Sequence, residues 1–265
     1  MDLLQSLLFG IVSFGASIIG AICGIGGGVI IKPVLDVFGW ASVSTISFLS
    51  GCTVLSMSCY NVLKGMMAGD SKVNAKTGTP LAIGAAAGGI VGNQLFAAIR
   101  RMFENPNTVG AVQAGCLALI TLGTLVYTVN KSKIKTHCVT DPVTSALIGL
   151  LLGIISSFLG IGGGPINLVV LYFFYSMETK TAAANSLYII LYSQLASLAM
   201  TVITRSIPDF TVTTLVVMVM GGIGGGMVGR SLNKKLNNKA VETLFVGLML
   251  VIVAISIYNV FKYTL

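Results

Sequence analysis

Charge is scarce in this sequence, and what little there is leans one way. Only 9% of the 265 residues are charged, sixteen Lys and Arg against eight Asp and Glu, with a single histidine, His137. Soluble domains carry about a quarter charged residues, so that class is excluded. The acidic residues lie at or near the ends of apolar segments, Asp36 excepted. Clustered His, Cys or acidic side chains at helix depth, which a membrane enzyme or metal centre requires, are missing. So is a carboxylate proton relay. The five cysteines, Cys23, Cys52, Cys59, Cys116 and Cys138, are odd in number and scattered, which gives neither a disulfide framework nor a metal motif. No metal or cofactor is expected, and His137, in a polar linker, reads as solvated.

What the sequence has in quantity is apolar surface. Hydrophobic residues make up 55% of it and the mean hydropathy is +0.93, values that belong to a polytopic membrane protein in a lipid bilayer. The net charge is +8, yet the basic residues sit in short loops between apolar runs, where they report insertion topology and not nucleic-acid binding. Asp2 stands where a secretory signal carries positive charge, so the first segment is expected to be retained.

The sequence is written twice around one motif. Gly24-Ile25-Gly26-Gly27-Gly28 returns as Gly160-Ile161-Gly162-Gly163-Gly164, an offset of 136 that also carries Thr45 onto Thr181 and Ser50 onto Ser186. An offset of 137 carries Gly84, Gly88 and Gly92 onto Gly221, Gly225 and Gly229. Spacing of four puts each glycine triplet on one helix face, where a neighbouring helix can approach closely. The expected segments are 3–23, 29–40, 43–62, 80–99 and 109–129, then 143–159, 165–177, 181–203, 212–232 and 241–261. Pro80 and Pro165 suit first helical turns. The fold class is therefore all-α integral membrane, with a first repeat at 1–130, a basic linker at 131–141 and a second repeat at 142–265.

Segments 29–40 and 165–177 are too short to span a core of roughly 30 Å. If each glycine run turns the chain back as a hairpin, each half makes five passes and the repeats are inverted. One face then collects Lys64, Lys72, Lys76, Lys131, Lys133, Lys135, Lys180, Arg230, Lys234, Lys235 and Lys239, eleven of the sixteen basic residues, and is assigned to the cytoplasm. If each run is a kink in one span, the split is eight against eight. The hairpin is the reading adopted.

Each hairpin would deliver the chain to a helix start, whose unpaired N–H groups and partial positive charge suit an anion. Matching interruptions in two halves mark a transporter's binding site; the bland alternative is tight packing. Candidate substrate-binding residues are Gly26, Gly27, Gly28, Gly162, Gly163, Gly164, Lys32, Ser50, Asn167, Asn185 and Ser186. Ser47, Thr53 and Gln194 are further polar candidates. These donors serve equally well as interhelical glue. Lys32 either attracts the anion or pairs with Asp36, one turn later.

The two G-I-G-G-G copies that each follow the first helix of a half, in an apolar chain of this size, resemble the TauE/SafE family of sulfite and organosulfonate exporters, also called the toluene sulfonate uptake permease family. The same five letters also occur at Gly222 to Gly226. The resemblance implies a bacterial inner-membrane transporter of small sulfur-containing or organic anions. An anion channel, or a carrier of non-sulfur carboxylates, remains the alternative.

Overall fold

The computed structural model describes residues 3–69, 72–103, 106–161 and 163–264. Among them all regular structure is helical: α1 (Leu3–Cys23), α2 (Gly28–Phe38), α3 (Val43–Met67), α4 (Ala75–Met102), α5 (Pro106–Asn130), α6 (Pro142–Leu159), α7 (Pro165–Tyr175), α8 (Thr179–Ile203), α9 (Val212–Lys235) and α10 (Asn238–Thr264). Eight are long and apolar enough to cross a membrane. The exceptions, α2 and α7, have eleven residues each and rise only about 16 Å, half the hydrocarbon thickness.

Helix ends follow local chemistry. Asp141 caps α6, accepting from Thr144 N at 2.7 Å, with Pro142 at the first helical position. Asn74 caps α4 through Lys76 N at 3.1 Å. That cap starts α4 ahead of Pro80, which lies inside the helix and not in its first turn. Within α2, Pro33 cannot continue the backbone ladder. Its carbonyl accepts from Asn259 Nδ2 at 2.9 Å, and Lys262 Nζ donates to the carbonyls of Asp36 and Val37 at 2.9 and 2.8 Å. A cation there also complements the helix C-terminus.

Glycine governs the closest packing. A Cβ at Gly84, Gly88 or Gly92 on α4 would run into the α6 carbonyls of Ala146, Leu150 or Ile154. Gly225 and Gly229 on α9 meet the α1 carbonyls of Phe14 and Ile18 in the same way, while a Cβ at Gly221 would lie 2.7 Å from Gly10 O. Each contact joins a helix of one half to a helix of the other, the partners running parallel. By contrast α5 and α10 run antiparallel, with Gly110 beside Tyr263 and Gly115 beside Val260. So do α3 and α8: Gly51 meets Gln194 and Leu198, and Val62 shares a cavity wall with Leu187.

The short helices lie against the starts of their predecessors. Trp40, just beyond α2, stacks on Phe38 at 4.8 Å and on Phe9 of α1 at 6.2 Å between ring centroids. Tyr175, at the end of α7, donates its hydroxyl to Ser145 of α6 at 2.9 Å. Phe9 and Ser145 stand at the 136-residue offset. Buried Ile22, Ile25, Val29, Ile161 and Leu168 pack around the two glycine turns.

Candidate functional site

The two turns repeat each other in detail. Gly24 (φ 76°) and Gly160 (φ 65°) take the left-handed conformation that side chains disfavour. Ile25 N donates to Gly20 O at 3.1 Å, as Ile161 N does to Ser156 O at 3.4 Å. Gly24 lies against Ala183 on α8 and Gly160 against Ser47 on α3, positions that also correspond at an offset of 136. The turns touch: a Cβ at Gly28 would collide with the carbonyl of Ile161, and one at Gly164 would meet the side chains of Ile161 and Val29 at 3.2 and 3.7 Å.

The residues singled out from sequence occupy varied surroundings. Gly26 has φ 70°, and Gly27 caps α2 with its Cβ position 3.1 Å from Ser17 Oγ. Gly163 faces Ile190 and stands beside the Asn167 amide, while Gly162 lies outside the described residues. The Ser50 and Ser186 hydroxyls and Asn167 Oδ1 are buried with no hydrogen-bond partner among the described residues. Thr53 donates to Leu49 O at 2.9 Å. Asn185 is a latch: Nδ2 donates to Lys72 O (3.1 Å) and Thr181 O (2.9 Å), and Oδ1 accepts from Asn74 N (3.3 Å), which ties the α3–α4 loop to α8. Lys32 and Asp36 form a buried ion pair at 3.0 Å, 3% and 4% exposed.

Two large cavities lie beyond the turns. One of about 290 Å³ is walled by the later half of α3 (Asn61, Gly65), the early half of α8 (Lys180, Ala183) and the end of α9 (Arg230, Asn233). The other, about 700 Å³, is walled by the early half of α3 (Ser44, Ser47), the later half of α8 (Gln194, Ser197), Asn93 of α4 and Gly160 itself. Every lining residue of the smaller corresponds, at offset 136 or 137, to a lining residue of the larger. Asn61 pairs with Ser197, Ala183 with Ser47, Lys180 with Ser44 and Arg230 with Asn93. Ala183, on which Gly24 packs, is thus a wall residue of the smaller cavity, and Ser47 and Gly160 are wall residues of the larger.

Comparison with known families decides the class: the model of the sulfite exporter TauE/SafE family matches residues 9–257. The chain belongs to the TauE/SafE family. It is a multi-pass membrane transport protein, and the sequence resemblance is thereby upheld. Searches of curated proteins and of solved structures returned no match.

In this TauE/SafE chain the cavities differ in charge. Lys72, Lys180, Arg230 and Lys234 line the smaller, with no acidic residue among its described lining residues. Lys180 Nζ donates to Leu236 O at 2.8 Å and Arg230 Nη1 to Asn61 O at 3.3 Å, so main-chain dipoles hold both cations over the cavity. At equivalent places the larger cavity carries Pro208, Ser44, Asn93 and Ala97. Asn93 there donates to Thr201 Oγ1 at 3.0 Å and Ser197 Oγ at 3.3 Å.

From residue order alone these lysines and Arg230 read only as loop charges. The signal for their convergence was the offset itself, which sets Arg230 against Asn93 across two glycine-marked helices. Ser47 and Gln194 do line the larger cavity; Gly26, Gly27, Gly28, Gly163 and Gly164 line neither. Among the described residues no group of three or more metal-ligating side chains occurs.

Proposed function

We propose that this protein is a carrier of small anions, sulfite or sulfonates foremost, that opens alternately to the two membrane faces and works as an exporter in a bacterial inner membrane. The observation that carries this reading is the correspondence of the two cavities, residue for residue, on opposite halves of α3 and α8. A carrier needs two half-pathways that exchange roles, whereas a channel needs one continuous pore. The cavities share no lining residue, and the closely packed contacts of Gly24 with Ala183 and of Gly160 with Ser47 each involve a wall residue of one of them.

The repeats, 1–130 and 142–265 with a linker at 131–141, are inverted on this account. Antiparallel packing of the equivalent helices α5 with α10, and α3 with α8, supports an axis in the membrane plane, because an axis along the normal would make those pairs parallel. The Phe9–Trp40 and Tyr175–Ser145 contacts support glycine turns that send α2 and α7 back as re-entrant hairpins. The face bearing Lys72, Lys180, Arg230 and Lys234 is the cytoplasmic one by the positive-inside rule. The anion is held next to the Gly24–Gly28 and Gly160–Gly164 turns, where the buried Ser50 and Ser186 hydroxyls can donate to it and the Asn167 amide nitrogen stands beside Gly163.

Counterflow tests the reading. Proteoliposomes preloaded with unlabelled sulfite should take up labelled sulfite faster than empty ones, and the rate should saturate. Flux that is linear in concentration and indifferent to internal anion would make the protein a channel.

A further inference from the structure

Two otherwise equivalent cavities differ in charge. The repeat supplies the same walls twice, yet four wall positions are cationic on one face and uncharged on the other. One exchange is coordinated. A Cβ at Gly65 would lie 3.3 Å from Arg230 Nη1, so Gly65 leaves room for the guanidinium. In the other cavity the equivalent pair is Thr201 and Asn93, joined by the 3.0 Å hydrogen bond. A guanidinium over a glycine thus stands where its repeat partner has an amide over a hydroxyl.

We propose that the cavity walled by Lys180 and Arg230 is a capture site for doubly charged oxyanions, and that its less cationic counterpart is the release side. The sidedness rests on the carrier reading; the binding does not. A cleft lined by one sign of charge with low-dielectric walls concentrates counter-ions, and Coulomb attraction to the same cations doubles when the anion carries two charges in place of one. Arginine adds a planar fork of donors suited to an oxyanion, held in place here by Asn61 O. Asn61 and Asn233 each turn one amide N–H to a main-chain carbonyl, Met57 O at 2.9 Å and Ile22 O at 2.6 Å. Their other N–H groups are uncharged, so discrimination between one anion charge and two falls to the cations. In the larger cavity the charged lining residues are Arg100, Arg101 and Asp209, a smaller excess of positive charge than the four cations among the described residues of the other cavity.

The test is calorimetric binding of inorganic sulfate and of methanesulfonate to purified protein in detergent at low salt. Sulfate should bind about tenfold more tightly or better, and added salt should erode the preference. Lys180→Gln and Arg230→Asn should each weaken sulfate binding by about tenfold while leaving the unfolding temperature near wild type, and Arg230→Lys should recover part of it. Asn93→Arg combined with Thr201→Gly should create a second sulfate site. Equal affinity for the two probes in wild type, or unchanged sulfate affinity in folded Lys180→Gln and Arg230→Asn proteins, would overturn the proposal. Counterflow scores the carrier reading separately: wild type that exchanges anions without distinguishing the probes defeats this inference alone, and sulfate capture without exchange defeats the carrier reading alone.

Discussion

Gly28 lies against the main-chain carbonyl of Ile161, so each glycine turn forms part of the wall of the other. Both residues are buried, and a Cβ added at Gly28 would collide with that oxygen, so the backbone must shift to admit it. Gly28→Ala should lower stability by about 1–3 kcal/mol, the usual cost of overpacking. Gly27→Ala is the control, since its Cβ would approach Ser17 no closer than 3.1 Å and its φ of −66° already suits alanine. Thermal unfolding in detergent should rank Gly28→Ala well below Gly27→Ala; equal melting temperatures would refute the contact.

The buried Lys32–Asp36 pair makes a second prediction. Lys32→Met strands an unpaired carboxylate and should destabilise the protein by about 3–5 kcal/mol, while joint replacement with Asp36→Leu should restore most of that loss. Anion affinity of the double variant then assigns Lys32. Weak binding by a stable double variant means that Lys32 meets the substrate. Normal binding removes it from the site and leaves the pair a structural role.

Orientation is testable by labelling. Single cysteines at Lys72, Lys133 and Lys235 should be shielded from an impermeant thiol reagent added outside intact cells, and one at Arg101 should react. Outside labelling at both Lys72 and Lys235 would reverse the proposed topology.

Acid should loosen the junction between the halves. The main-chain N–H and hydroxyl of Thr144 hold the Asp141 carboxyl below its ordinary value of 3.8. A depressed folded-state pKa contributes stability that is present above the unfolded value and lost as pH falls through the folded one. Asp141→Ala should therefore be less stable than wild type at neutral pH. The two should converge as pH drops below 3.8, measured as unfolding midpoints; a difference independent of pH would contradict this origin.

Much of the fold was legible because its determinants are local. Glycine turns follow the first helix of each half, eleven residues cannot span a bilayer, and a four-residue glycine spacing marks a packing face, so the turns, the short helices and the α4 and α9 stripes could be read from residue order. A further G-I-G-G-G run, Gly222 to Gly226, nonetheless stays inside the unbroken helix α9. Pro80 misled because the start of α4 is set by Asn74, itself clamped by Asn185 from another helix. The cavities were out of reach for a similar reason. Lys72, Lys180 and Arg230 lie in a loop and two helices far apart in sequence, and only tertiary packing makes them neighbours. Asn185 looked like a donor to substrate; its hydrogen bonds are all taken up by the backbone of its own helix and of the α3–α4 loop.

The central claim is that the two cavities open in turn, and reciprocal accessibility tests it most directly. In a background with the five native cysteines replaced, Ser47→Cys reports the larger cavity and Ala184→Cys the smaller. The account predicts that adding transported anion shifts their reaction rates with a small soluble thiol reagent in opposite directions, one rising as the other falls. Rates that rise and fall together, or that never respond to an anion the protein demonstrably transports, would contradict alternating exposure.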